Sequence, residues 1–330
     1  MRRREFVALL AGSALPLTAW AQQATRSYRI AMLHPSHPVA DMTETSRLSY
    51  YRAFFEELGH LGYVEGQNIA IERYSGGGQG ENYAELTRGV VARNPDLLFA
   101  MTLWIVKPLR EETATIPIVA ITSDPVQAGL VPSLARPGGN ITGVSVDAGL
   151  EIWGKRVQLL RELIPTISKA GVLAQQQNPE RAALLQTIEQ AGMPIVGPVL
   201  PDRPTDDDYH GFFAALSQVG ADALFVDGSP EHITKRHLIV ELAKEFRLPA
   251  IYPFRSFVEA GGLMAYGVDL SEVFRQGARA IDKVLKGTNP GDIPFYQPTK
   301  FELVINLEAG RALGLTLPPA LLAVADEIIE

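Results

Sequence analysis

The sequence predicts an α/β protein made of two doubly wound parallel-sheet lobes, and three observations carry that class. Short β-branched and apolar runs alternate with longer segments of helical period, the signature of β-α units feeding a parallel sheet. The alternation runs through both halves of the chain, with about five strand candidates in each, the content of one doubly wound sheet. The 330 residues, 46% of them apolar, suit two domains of about 150 residues with ordinary cores.

The first strand is expected at 28–33. A helix follows at 45–61, where Leu48, Tyr51, Phe55, Leu58 and Leu61 recur at three or four residues and Gly62 stands ready to end it. Strands at 68–73, 97–101, 116–121 and 141–146 and a helix at 83–93 complete the half. The second half repeats the scheme with helices at 152–163, 180–191, 206–218 and 231–246. Its strands are expected at 169–174, 195–199, 223–226, 250–252 and 262–267. A last helix at 270–285 places Val273, Gly277, Ile281, Val284 and Leu285 on one face. Open parallel sheets bind ligands beyond the carboxyl ends of their strands, so two sheets facing each other by those ends would enclose one site.

The first 21 residues read as an export signal. Arg2, Arg3 and Arg4 form a positive region, residues 7–17 an apolar one, and Ala19-Trp20-Ala21 a small-x-small cleavage site, so the mature chain is expected to begin near Gln22. The apolar run is shorter than the ~20 residues needed to span a bilayer. Arg3-Arg4-Glu5-Phe6 fits the core of a twin-arginine signal, without the flanking Ser and Lys, and the general secretory route stays open. The chain has no cysteine, which excludes disulfides, thiolate metal sites and the lipid-modified cysteine of an anchored lipoprotein. Its formal net charge is −7, and losing residues 2–5 makes it more acidic still, a poor match to nucleic acid. The mature chain lacks G-x-S-x-G, H-E-x-x-H and a cysteine nucleophile, which argues against an exported enzyme.

Four stretches carry a family resemblance: FFEELGHLGYVEGQNIAIERY (54–74), IPIVAITSDPVQAGLVPSLARPGGNITGVS (116–145), LPAIYPFRSFVEAGGLMAYG (248–267) and QPTKFELVINLEAGRALGLTLPPALLAVADEIIE (297–330). In order and spacing they resemble the substrate-binding proteins of ABC transporters, of the tryptophan/tyrosine-type binding components. The resemblance implies a periplasmic type I binding protein, two α/β lobes joined by a three-segment hinge. Such a protein hands a small solute to a membrane permease and ATPase, as a monomer without cofactor or metal. It places the crossings near 145–149, 267–269 and 299–307, with one lobe at 28–147 plus 268–298 and the other at 148–267 plus 299–330. The chain departs from the family pattern at Thr102-Leu103-Trp104, where many relatives carry small residues, and at 175–179, where relatives more often go straight to Asn-Pro. A periplasmic ligand sensor would share this architecture; a cytoplasmic repressor would need a DNA-binding headpiece in place of the signal.

The loops after the strands supply the candidate ligand residues Ser36, Thr102, Trp104, Ser123, Asp124, Asn178, Asp227, Ser229, Phe254 and Tyr266. An amino acid or aromatic acid would use hydroxyls and helix N-terminal amides for its carboxylate, Asp for an ammonium and rings for an apolar side chain. For Asp124 and Asp227 a helix cap or turn role stands beside ligand binding, since Asp before Pro or Gly is ordinary turn chemistry. Trp104 could instead be a core or lobe-surface residue, Tyr266 could pack beneath the cleft, and Arg255 reads as a solvated or inter-lobe residue. His34 and His37 lack a third metal ligand and read as loop histidines. The glycines at 76–80 lack the spacing and the Lys-Ser/Thr of a phosphate cradle and read as a turn.

Overall fold

The computed structural model describes residues 27–78, 82–146, 149–174, 176 and 181–330. The export signal therefore lies outside the described residues, as does Asn178. Five strands, β1 (Tyr28–His34), β2 (Ile69–Ser75), β3 (Leu97–Met101), β4 (Ile118–Thr122) and β5 (Ile141–Ser145), form an all-parallel sheet in the order β2-β1-β3-β4-β5. Because successive side chains point to opposite faces, each strand feeds two cores. Ile30, Met32, Phe99 and Ile121 pack under helices α1 (Ser49–His60) and α10 (Leu270–Leu285). Ala31, Leu98, Ala100 and Ile118 pack under α2 (Tyr83–Val91) and α3 (Leu103–Glu112).

The second sheet has six strands, β6 (Ala170–Leu173), β7 (Ala223–Val226), β8 (Ala250–Tyr252), β9 (Met264–Val268), β10 (Phe301–Asn306) and β11 (Glu327–Ile329), in the order β11-β10-β9-β8-β7-β6. It is parallel except between β9 and β10. Helices α4 (Glu151–Leu163), α5 (Arg181–Gln190) and α12 (Pro319–Ala323) cover one face. Helices α6 (Asp206–Gln218), α8 (Arg236–Glu245) and α9 (Arg255–Glu259) cover the other. Short α7 (Pro230–Thr234) follows β7, and α11 (Leu307–Ala312) follows β10.

The chain passes between the sheets after β5, after β9 and before β10. At the second passage Asp269 accepts the backbone N–H groups of Ser271 (2.8 Å) and Glu272 (3.2 Å), so α10 starts at a defined cap. Its apolar stripe, Val273, Phe274, Ala278 and Ile281, then turns back onto the first sheet. Close approach is built in at β5. Gly143 adopts φ +150°, and a Cβ there would stand 1.9 Å from the Ala120 carbonyl oxygen.

Several local expectations change. The strand expected at 195–199 is reduced to one bridge between Ala170 and Ile195, because Gly197 turns to φ +100° and Pro198 has no N–H for a ladder. The helix expected at 231–246 divides at Lys235, whose φ −89° and ψ 13° leave the helical region. Residues 301–306, within the segment read as a crossing, are strand β10, and residues 103–112, read partly as a loop, are helix α3.

Candidate functional site

The carboxyl ends of the two sheets meet. Ser36, just beyond β1, donates its hydroxyl to the Pro230 carbonyl of α7 at 3.2 Å, and Thr234 Oγ1 lies 3.0 Å from Ser36 Oγ. Phe254, at the start of α9, packs against the α1/α10 core of the first sheet and the α6/α8 core of the second. Its ring also covers Gly228, where a Cβ would fall 3.2 Å from Phe254 Cε2.

A stacked pair of histidines lies beneath the Ser36 contact. The His34 and His37 rings are 3.6 Å apart and 8° from parallel. His34 Nδ1 accepts the backbone N–H of Ser36 (3.1 Å) and of His37 (2.8 Å), so it carries no proton. His37 Nδ1 is 3.0 Å from the Tyr51 hydroxyl, while His37 Nε2 and the Tyr50 hydroxyl are buried without partners among the described residues. Burial, joined by His37, pushes the His34 ring well below its ordinary pKa; burial, joined by Arg236 of α8, takes His37 down to about 3.

The first sheet contributes hydroxyls and strain. Thr102 joins β3 to α3 at φ +69° and ψ 154°, a region that glycine adopts and threonine does not without strain. Among the described residues its buried Oγ1 has no hydrogen-bond partner, and neither has Thr122 Oγ1 at the end of β4. Ser123 is half-buried, and its carbonyl accepts the Ser145 hydroxyl at 3.3 Å. Asp124 Oδ1 accepts the N–H groups of Val126 (2.8 Å) and Gln127 (3.0 Å), which is turn-capping chemistry. Trp104 sits in the first turn of α3 and is 44% exposed.

The second sheet contributes charge. Asp227, just past β7, is 2% exposed and holds His232 Nδ1 (2.7 Å), the Ser229 hydroxyl (2.8 Å) and the Ser229 N–H (3.0 Å). Burial alone would raise its carboxyl; His232 and Ser229 outweigh burial and hold it below the ordinary range. The hydroxyl of Ser229 is thus turned to Asp227. Tyr266 on β9 is half-buried beside Phe301, with ring centroids 6.0 Å apart. Arg255 is bound within the second lobe, to Glu302 at 3.0 Å and Glu327 at 2.7 Å.

The structure thus gathers Ser36, Asp227, Ser229 and Phe254 where the lobes meet, and leaves Trp104 at the surface. Sequence reasoning missed His232 and Arg156. Arg156 of α4 is 4% exposed, donates Nε (3.0 Å) and Nη2 (2.8 Å) to the Tyr266 carbonyl, and stands over the Trp153 ring at 4.5 Å. The available signal was a charge inside an apolar stripe, since Ile152, Arg156 and Leu160 recur every four residues.

The profile of the ABC transporter substrate binding proteins matches residues 39–329. A tyrosine-binding protein of Clostridioides difficile (strain R20291) is 26% identical over 268 residues, covering 80% of this chain and 76% of the relative. Among solved structures, a conserved domain protein from Vibrio cholerae superposes with a TM-score of 0.80 at 24% identity, covering 92% of this chain and 100% of that one. The ABC domain from Streptococcus pneumoniae in complex with L-Trp gives 0.78 at 24% identity, with the same coverage. These structural likenesses match the two-lobed α/β architecture described above. With the profile spanning most of its length, the chain belongs to the family of ABC transporter substrate binding proteins.

Proposed function

We propose that this protein is the periplasmic solute-binding component of an ABC importer. Residues 1–21 direct export, and the mature monomer captures an amino acid or aromatic acid between its lobes and delivers it to a permease and ATPase. The lobes of this proposal are 28–147 with 268–298 and 148–267 with 299–330. The observation that carries the reading is the meeting of the two sheets' carboxyl edges around the buried Asp227 carboxylate, with the Ser36 hydroxyl on the Pro230 carbonyl at 3.2 Å. The tyrosine-binding relative and the L-Trp complex support the solute class.

In this reading Thr102 and Ser123 offer hydroxyls to an acid group, and Asp227 offers its negative charge to an ammonium. Phe254 and Tyr266 offer ring faces, and Asp124 and Ser229 complete the polar rim. A solute held by both lobes binds the closed form better than the open one and shifts the population toward closure. No catalysis is required of any of these groups.

A thermal-shift screen of amino acids and aromatic acids tests the proposal. A ligand present at 100 times its Kd stabilises the folded form by about 2.7 kcal/mol, a shift of roughly 5–10 °C. A protein unmoved by the whole panel would not be a carrier of this solute class.

A further inference from the structure

We infer that Arg156 is an anion-selecting residue of the inter-lobe cleft, its outer guanidinium edge taking an acid group of the solute from the second lobe. The inference rests on the solute-binding reading above and adds the residue that takes the acid group those solutes share.

Arg156 is 4% exposed, yet among the described residues no carboxylate lies within ion-pair distance of it. Among the described residues both of its hydrogen bonds fall on one neutral acceptor, the Tyr266 carbonyl, through Nε and Nη2. Nη1 has no acceptor among the described residues. Trp153 covers the guanidinium face at 4.5 Å, which fixes the plane of the fork without neutralising it. A buried cation left so is costly, and arginines in protein interiors are normally matched by a carboxylate or phosphate. The mismatch weakens its hold on the proton: burial takes the guanidinium down to about 9, although the field of Asp227 opposes the change.

The location turns this mismatch into a site. Tyr266 and Gly267 lie toward the carboxyl end of β9, the edge that meets the first sheet, and a Cβ on Gly267 would fall 3.7 Å from Arg156 Nη2. Asp227, at the same edge, acts on Arg156 from beyond ion-pair distance while its own oxygens are taken by His232 and Ser229. The second lobe therefore presents a negative and a positive group side by side, the pattern that matches a zwitterion. The guanidinium is planar and rigid, so its open edge suits the two oxygens of a carboxylate.

Calorimetric titration of the purified protein with L-tryptophan, indole-3-propionate and tryptamine tests the assignment. The first two carry a carboxylate and the third does not. The wild type should bind both acids more tightly than tryptamine. Arg156→Met should lose about 30-fold or more in affinity for the two acids and leave tryptamine unchanged. Arg156→Lys, which keeps the charge but not the fork, should lose about 5–10-fold on the acids only, and it carries the test if Arg156→Met does not fold. Folded variants that bind the acids as the wild type does, or that lose all three ligands equally, overturn the inference, the second result marking Arg156 as a support for β9. A wild type that binds none of the three overturns the solute class first and this inference with it.

Discussion

Lowering the pH from 7 to 5 probes the stacked histidines where the lobes meet. His37 has an ordinary pKa of 6.5 and about 3 in the folded protein, because its ring is buried against His34, Tyr50 and Tyr51 with Arg236 of the second lobe adding a like charge. The charges acting on the neighbouring Tyr50 are Arg236, Asp41 and Glu259, so cations and carboxylates both reach the cluster. The unfolded chain binds a proton below 6.5 that the native ring refuses. Stability is therefore complete above pH 6.5 and declines as the pH falls from there toward about 3. At pH 5 the ring is 1.5 units below its unfolded value, which amounts to about 2 kcal/mol, or roughly 4–8 °C in Tm. His34 is shifted in the same direction and adds to the effect. Thermal denaturation of the wild type and of His37→Gln at pH 7, 6 and 5 is the assay. The wild type should lose about 2 kcal/mol more than the variant between pH 7 and 5. Parallel pH profiles would refute the argument, since they would mean that the His37 ring already takes up its proton in the native state.

Two further substitutions separate folding from binding. Gly143→Ala places a Cβ 1.9 Å from the Ala120 oxygen, between β4 and the edge strand β5 of the first sheet, and should cost about 3 kcal/mol or more in denaturant titration. A variant as stable as the wild type would show that β4 and β5 can separate cheaply. Asp227→Asn keeps the shape but removes the charge facing His232, and should cost about 1–3 kcal/mol in stability. The same change should lower affinity for L-tryptophan by about 10-fold or more while sparing indole-3-propionate, and equal losses for the two would remove Asp227 from ammonium binding.

Much of the first sheet was legible because its strands are short, apolar and buried on both faces, as in 97–101 and 116–121, and because α10 repeats its apolar residues at helical spacing. The same cue misled at 195–199, where the apolar residues are real but Gly197 and Pro198 prevent a ladder. It was silent at β10, since apolar content reports burial and not the direction in which a strand pairs. Site residues placed by strand ends, such as Ser36 and Asp227, do lie where the lobes meet. Their partners could not be read: Ser36 and Pro230 are 194 positions apart, and Arg156 and Tyr266 are 110 apart.

The sequence by itself determined the α/β class, the two repeated halves, the absence of thiol chemistry and the loops from which a ligand site would be drawn. These follow from composition and local period, which each segment carries within itself. Only the tertiary structure decided which charges are compensated. It matched Arg255 to Glu302 and Glu327, gave Asp227 to His232 and Ser229, and buried Arg156 against a neutral carbonyl. Charge compensation depends on distances between residues far apart in the chain, and those distances exist only once the sheets have formed and met.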